Sequence, residues 1–256
     1  MLIHDRFVFL HVPKTGGRFV RQALAQELPD CREVDEHKFR HKGWSKIPSE
    51  ATGKPVLTFI RNPWDWYVSW YTYIDELLSD SKQRDALEQI RSRNILFRRL
   101  FPAGSDSDDK AAGNGFAATI RRACSGVLKP EDRAKLAPSM WGFDSVEMLL
   151  AGYDFYSAAV MSTFGAGLNS DLLTVGRYES LVEDLELFIE REAGVKLTIA
   201  AKSRIRAMAP VGASRRGPYR DYYDNELRET VSSSCRELIE RFDYSSQVLE
   251  ADAQKS

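Results

Sequence analysis

Short apolar runs alternate with amphipathic segments along this chain, and this alternation predicts an α/β fold. Three runs, Phe7–Val12, Val56–Ile60 and Leu172–Val175, are mostly apolar and are bounded by turn residues. Runs of this length are typical of strands that are buried in a parallel sheet. A segment with helical periodicity follows each run, as in βαβ units. We therefore predict a central parallel sheet flanked by helices.

The segments with helical periodicity carry apolar residues three or four positions apart. They are Arg18–Leu28, Trp64 to about Leu78, the segment containing Leu181, Leu185, Phe188 and Ile189, and about Asp224 to Phe242. Helical patterns also dominate residues 80–170, which we interpret as a mainly helical insertion within a single domain spanning residues 1–256. A Gly/Asp/Ser-rich stretch at 102–115 interrupts them and is either a lid or a surface loop without a role.

Composition and charge restrict the class of protein further. The chain has 256 residues with 43% hydrophobic content, enough for one large α/β domain, and a formal net charge of −1. That charge does not favour nucleic acid as a partner. The three cysteines lack the spacing of a metal site or a disulfide framework, and no transmembrane or signal segment is evident. We therefore expect a cytoplasmic protein without a metal site; its oligomeric state is left open.

The first chemistry-bearing segment follows the first predicted strand. It is Pro13-Lys14-Thr15-Gly16-Gly17, directly before the first predicted helix. Glycines let the backbone approach an anion, and a helix N-terminus directs N–H groups towards it. Lys14 precedes the glycines, unlike in the nucleoside-triphosphate pattern G-x-x-x-x-G-K-[ST]. Alone, the segment fits a P-loop-like phosphate cradle about as well as an ordinary turn.

The second such segment follows the next predicted strand. Arg61 stands at the carboxyl end of that strand, and Asn62 and Pro63 supply an N-cap and a first helical position. Ser69 lies about two turns into the helix, where it could flank the groove of Arg61. An arginine fork and a hydroxyl suit a second phosphate, although a capped helix with a surface arginine explains the same letters. Together, the two segments indicate a ligand with phosphates at both ends.

This pair of segments resembles the two donor-binding motifs of sulfotransferases that use 3′-phosphoadenosine 5′-phosphosulfate (PAPS). The matching letters are HVPKTGG at residues 11–17 and RNPWDWYVSWY at residues 61–71. The resemblance implies that the first motif binds the 5′-phosphosulfate and the second the 3′-phosphate. It also implies sulfuryl transfer, without a required metal, to a hydroxyl or amine of a carbohydrate or small-molecule acceptor.

Weaker matches extend the resemblance towards the carboxyl end. Tyr178, in a segment similar to the family's RYEDL, is implied to lie near the adenine, and a basic loop at 214–217 is implied to close on the 3′-phosphate. Arg18 replaces a hydroxyl residue common in the family and either reaches the phosphosulfate or points outward. The predicted donor-binding residues are Pro13, Lys14, Thr15, Gly16, Gly17, Arg18, Arg61, Ser69, Tyr178, Arg215, Arg216 and Gly217.

Within this resemblance, catalysis requires a cation and a base. Lys14 is the candidate for stabilising charge on the leaving oxygen, and the acceptor must lose a proton to a positioned base. His37 has the family's chain order for that base, with Glu36 and His41 as alternatives. The aromatic residues of segment 64–73 either line an acceptor pocket or belong to the core.

Two other functions remain open at the level of sequence. One is a nucleotide-dependent kinase or NTPase, which would need Mg²⁺ held by Thr15 and an acidic strand end, and no convincing acidic pair is found there. The other is a nucleotide-binding protein without catalytic activity. Lys14 and a candidate base are both present in the sequence, which argues against this last alternative.

Overall fold

The structure is a computed structural model that describes residues 1–34, 43–79, 94–102, 114–135, 146–211 and 216–244. Five strands of this part of the chain form one mixed sheet in the order β3-β1-β2-β4-β5. The strands are β1 (Leu2–Ile3), β2 (Val8–Phe9), β3 (Arg32–Glu33), β4 (Val56–Ile60) and β5 (Leu173–Arg177).

The three strands β2, β4 and β5 pair in parallel, which confirms the predicted α/β fold with a parallel centre. The sequence did not predict β1 and β3, which add antiparallel pairings at one edge. Each of these strands has two residues, and both residues of β3 are exposed. A strand this short and polar leaves no apolar run by which it can be recognised.

Helices account for most of the remaining structure. The α-helices of the described ranges are α1 (Gly17–Glu27), α2 (Pro63–Ser79), α3 (Ile95–Leu100), α4 (Asn114–Cys124), α5 (Val146–Leu150), α6 (Phe155–Phe164), α7 (Leu181–Leu187), α8 (Ile199–Ala207), α9 (Asn225–Ser234) and α10 (Arg236–Arg241). A π-helical turn, Phe188–Glu192, extends α7, and 3₁₀ turns lie at Trp44–Lys46, Ser49–Ala51, Pro130–Lys135, Gly165–Asn169, Tyr178–Ser180 and Tyr219–Tyr222. Among the residues described, no helix has the length and apolar character needed to cross a membrane.

The chain divides into two compact units. The sheet unit contains the described residues of 1–61 and 159–211, including all five strands. The helical unit contains the described residues of 62–135, 146–158 and 216–244. The described part of the predicted insertion at 80–170 is helical, whereas its acceptor-side role and the single-domain organisation stay predictions.

The core of the sheet unit explains why the strand–turn–helix segment folds as the pattern predicts. Phe19, Val20 and Leu24 lie on one side of α1 at helical spacing and are buried. They pack in one apolar cluster with Phe9 of β2 and Phe59 of β4. This packing fixes the start of α1 beside the carboxyl ends of β2 and β4.

The core of the helical unit is aromatic. Trp66, Tyr67 and Trp70 of α2 are almost fully buried, and Trp66 stacks on Tyr156 with ring centroids 4.4 Å apart. These rings therefore belong to the core, which settles for them the choice between core and acceptor pocket that the sequence left open.

The final predicted helix differs from the continuous segment that periodicity predicts. It is interrupted at Cys235, between α9 and α10. The hydroxyls of Ser232 and Ser234 donate to the carbonyls of Arg228 and Thr230 at 3.0 and 2.8 Å. Such hydrogen bonds to the preceding turn bend helices, which gives the interruption a local cause.

Candidate functional site

The segment Pro13–Gly17 lies between β2 and the start of α1 and contains two left-handed residues. Lys14 has φ 64° and Gly16 has φ 79°. The hydroxyl of Thr15 donates to the carbonyl of Val12 at 2.8 Å, and only 1% of Thr15 is exposed. The Thr15 hydroxyl therefore closes the turn internally. We call residues 13–17 the cradle.

Helix α1 begins at Gly17, directly after Gly16. Within the described residues, no side chain caps its N-terminus, and its first turn contains no acidic residue. Backbone N–H groups at a helix start carry partial positive charge. The partial positive charge at the start of α1 thus adds to the formal charge of Lys14. Both charges favour the binding of an anion.

Both glycines of the cradle have a packing reason as well. A Cβ on Gly16 would lie 2.7 Å from Cδ2 of Leu181 and 3.1 Å from Cδ2 of Tyr178. A Cβ on Gly17 would lie 1.9 Å from Cδ2 of the buried His11 ring. The sequence pattern indicated close approach of an anion, whereas these distances show close approach of neighbouring side chains.

Arg61 lies directly after β4, and its guanidinium contacts the cradle. Its Nη1 donates to the carbonyl oxygen of Lys14 at 3.1 Å, and its Cζ is 3.9 Å from the centroid of the Tyr178 ring. Only 5% of Arg61 is exposed. Three residues that the sequence assigned to different parts of a donor site are therefore in contact within the sheet unit.

The turn after β5 holds Tyr178 in this cluster. The backbone N–H of Arg177 and the hydroxyl of Ser180 both donate to Oδ2 of Asp184, at 2.7 and 2.9 Å. Asp184 was not among the residues that the sequence motifs predicted to be functional. The recognisable signal would have been a carboxylate in the first turn of the helix that follows a strand.

The start of α2, in the helical unit, confirms the predicted cap. Oδ1 of Asn62 accepts hydrogen bonds from the backbone N–H groups of Trp64 and Asp65, at 3.0 and 3.3 Å. Pro63 occupies the first helical position. Ser69 lies on α2 and is only 4% exposed.

Arg216 pairs with a carboxylate in the helical unit. Its Nη2 contacts Oδ1 of Asp65, and about one seventh of each side chain is exposed. Asn62, which caps the same helix, donates from Nδ2 to the hydroxyl of Tyr219 at 3.5 Å. The sequence predicted a phosphate as the partner of Arg216, and it gave no indication of this ion pair.

The remaining predicted residues are distributed as follows. Arg18 and Gly217 are exposed, Lys14 is partly buried and Pro13 is buried. The base candidates Glu36, His37 and His41 lie outside the described residues, as does Arg215. In the part of the chain that the structure describes, no group of three or more His, Cys, Asp or Glu side chains could hold a metal ion.

The fold of this chain is similar to that of a known protein, whereas its sequence is not. No protein-family model matches the sequence, and no curated protein matches it. Among solved structures, the chain is similar to mouse sulfotransferase SULT7A1 complexed with PAP, with 13% sequence identity and a TM-score of 0.51. The alignment covers 99% of this chain and 89% of the mouse protein. At this identity, the likeness shows the α/β fold, a mixed sheet with flanking helices, and nothing finer.

Proposed function

We propose that this chain is a sulfotransferase that uses PAPS as its donor. The observation that carries the proposal is the hydrogen bond from Arg61 to the carbonyl of Lys14, which joins two cationic residues where parallel strands end. Ligands of open α/β sheets bind at the carboxyl ends of strands. The fold shared with a sulfotransferase complexed with PAP supports the same reading.

The chemistry of the cradle fits an anionic donor. The Lys14 ammonium supplies one formal charge, and the start of α1 supplies N–H groups without a side-chain cap among the described residues. We propose that the cradle binds the 5′-phosphosulfate, and that Ser69, Arg215, Arg216 and Gly217 contribute to the 3′-phosphate end together with Arg61. The first turn of α1 has no carboxylate to oppose a phosphate.

The proposed reaction forms a bond between sulfur and an acceptor oxygen or nitrogen and breaks the bond between sulfur and the phosphate oxygen. Bound PAPS supplies the sulfuryl group, and the electron pair of the broken sulfur–oxygen bond stays on the departing phosphate. Lys14 stabilises the negative charge that develops on that oxygen. A base removes the acceptor proton, and His37 is proposed for this role, with Glu36 and His41 as alternatives.

The direct test is transfer of ³⁵S from labelled PAPS to a panel of carbohydrate and small-molecule acceptors. We expect transfer by the wild-type protein, transfer that persists in EDTA, and its loss in Lys14→Ala. Arg191→Ala is the matched control, because it removes an exposed cation of the same unit. PAP binding without transfer to any acceptor would favour a catalytically inactive binding protein. Phosphoryl transfer from ATP that EDTA abolishes would favour a kinase or NTPase.

A further inference from the structure

The backbone of Lys14 has a conformation that a non-glycine residue rarely adopts. Its φ of 64° is left-handed, and its side chain therefore leaves the chain in a direction that an ordinary turn would not give. Such a conformation costs free energy and persists when neighbouring groups hold it. The contacts of the Lys14 peptide group thus influence the direction of the Lys14 side chain and of its ammonium group.

Two side chains of the sheet unit make those contacts. Arg61 donates from Nη1 to the Lys14 carbonyl at 3.1 Å, and its Cζ lies over the ring of Tyr178, 3.9 Å from the ring centroid. Tyr178 also reaches the cradle on its own, because its Cδ2 lies 3.1 Å from the position of a Cβ on Gly16. One ring therefore lies against the arginine and leaves no room for a Cβ at Gly16, in the loop that the arginine binds.

We propose that Arg61 and Tyr178 form a clamp that holds Lys14 in its left-handed conformation and thereby positions its ammonium. In this arrangement Arg61 acts at the 5′ end of a nucleotide, through Lys14, in addition to any phosphate that it contacts itself. Arg61 and Tyr178 are then positioning residues for the cradle. The choice of a nucleotide as the ligand rests on the proposed function. The clamp itself does not depend on it.

The burial of Arg61 and the geometry of its guanidinium together make the clamp specific for arginine. Only 5% of Arg61 is exposed, so its hydrogen bond to the Lys14 carbonyl is partly shielded from competing water. A guanidinium can donate in its plane while stacking its face on a ring, which a lysine ammonium cannot do. Arg61→Lys should therefore keep the charge and lose most of the positioning.

The test uses adenosine 5′-monophosphate (5′-AMP), because this ligand has no 3′-phosphate. A clamp predicts that Arg61→Ala weakens 5′-AMP binding about tenfold by calorimetry, the loss expected from a charge-assisted hydrogen bond and its stack. Arg61→Lys should recover only a minor part of this loss. Arg191→Ala, which removes an exposed cation, should bind 5′-AMP as the wild type does. If the wild type binds 5′-AMP, unchanged 5′-AMP affinity in Arg61→Ala would overturn the inference.

A second readout needs no ligand and distinguishes a local change from global destabilisation, because strand β4 serves as an internal reference. Amide hydrogen exchange of residues 14–17 should be about tenfold faster in Arg61→Ala and in Tyr178→Leu than in the wild type, while strand β4 stays protected. Tyr178 is only partly buried, so its replacement by leucine leaves the sheet core intact. Tyr178→Phe, which keeps the ring, should restore slow exchange.

The two readouts separate the clamp from the proposed function. Faster exchange together with weaker 5′-AMP binding supports the inference. Unchanged exchange in both Arg61→Ala and Tyr178→Leu overturns it, whatever the ligand does. Faster exchange in a protein whose wild type binds neither 5′-AMP nor PAP supports the clamp and overturns the proposed function.

Discussion

The hydroxyl of Tyr67 donates a hydrogen bond of 2.8 Å to Oδ1 of Asp154, and both side chains are almost completely buried. The same oxygen accepts from the backbone N–H groups of Tyr156 and Ser157, each at 3.0 Å, and from the thiol of Cys235 at 3.4 Å. Burial raises the pKa of Asp154, and the hydrogen bonds from Ser157, Tyr67 and Cys235 oppose that rise. One buried carboxyl group thus accepts hydrogen bonds from four donors within the helical unit.

Asp154→Asn should lose little stability at neutral pH, because an amide oxygen can accept the same hydrogen bonds without the cost of a buried charge. Asp154→Ala leaves the Tyr67 hydroxyl and two backbone N–H groups without their acceptor, and we expect it to lower the free energy of unfolding by about 2–4 kcal/mol. Urea denaturation at pH 7 measures both changes. A loss in Asp154→Asn as large as that in Asp154→Ala would contradict this account.

The pH dependence of stability tests the direction in which the pKa of Asp154 is changed by folding. Because the pKa of Asp154 is raised in the folded state, the folded state binds this proton more tightly than the unfolded state does. The stabilising contribution of protonated Asp154 is complete below the ordinary aspartate pKa. It is lost as the pH rises through the raised pKa of the folded state. The free energy of unfolding of the wild type, relative to Asp154→Asn, should therefore fall as the pH is raised from acid. A difference that grows over that interval would show the opposite shift.

Lys14→Ala and Arg61→Ala should each weaken binding of PAP, by about 1–3 kcal/mol, because each removes a charge-assisted contact from the proposed donor site. Isothermal calorimetry at fixed ionic strength measures both, with Arg191→Ala as the control for loss of one exposed positive charge. Wild-type affinity in both variants would refute the assignment of the donor site.

Local pattern in the sequence was sufficient for the centre of the fold. The run Val56–Ile60 was predicted with its observed bounds, because every one of its residues is buried and turn residues flank it. The same patterning placed the cradle between a strand and a helix. The strand β3 was missed because its two residues are polar and exposed, and β1 was missed because its two apolar residues are followed directly by the polar residues His4, Asp5 and Arg6, whereas β2 lies within a longer apolar run.

Contacts between distant residues were beyond the sequence for a different reason. Arg61 and Lys14 are 47 positions apart, and their hydrogen bond depends on the parallel pairing of β2 with β4. Asp65 and Arg216 are separated by 151 positions. Motif resemblance named three of these four residues as members of a donor site, but a motif does not say which side chains contact one another in the absence of a ligand.

Gly17→Ala tests the packing of the cradle against His11. The added Cβ would lie 1.9 Å from the imidazole, so either the ring or the start of α1 must move. We expect a loss of about 1–3 kcal/mol in the free energy of unfolding. In the double variant His11→Ala/Gly17→Ala the methyl group enters the space of the missing ring, and the combined loss should be smaller than the sum of the single losses. Additive losses in urea denaturation would rule out this packing as the reason for glycine.

Asp65→Asn tests whether its ion pair with Arg216 competes with a ligand phosphate. If Arg216 serves the 3′-phosphate, removing its carboxylate partner should strengthen PAP binding by about 3–10-fold, a change of about 1 kcal/mol. Arg216→Ala should weaken PAP binding, and both effects should diminish at high salt. The affinity for 5′-AMP, which has no 3′-phosphate, should be the same in Asp65→Asn as in the wild type. Equal effects on PAP and 5′-AMP would separate this ion pair from the 3′-phosphate.

His37→Ala separates donor binding from proton removal. A general base acts in the chemical step, so this variant should keep wild-type affinity for PAP while kcat for sulfuryl transfer falls by about 10²–10⁴. Lys14→Ala should instead lower both. Glu36→Gln and His41→Ala are the matched comparisons, because both residues lie within four positions of His37 and were the alternatives for the same role. If kcat falls in Glu36→Gln and stays at the wild-type level in His37→Ala, the base is the carboxylate, and the acidic limb of the pH–rate profile should disappear with Glu36.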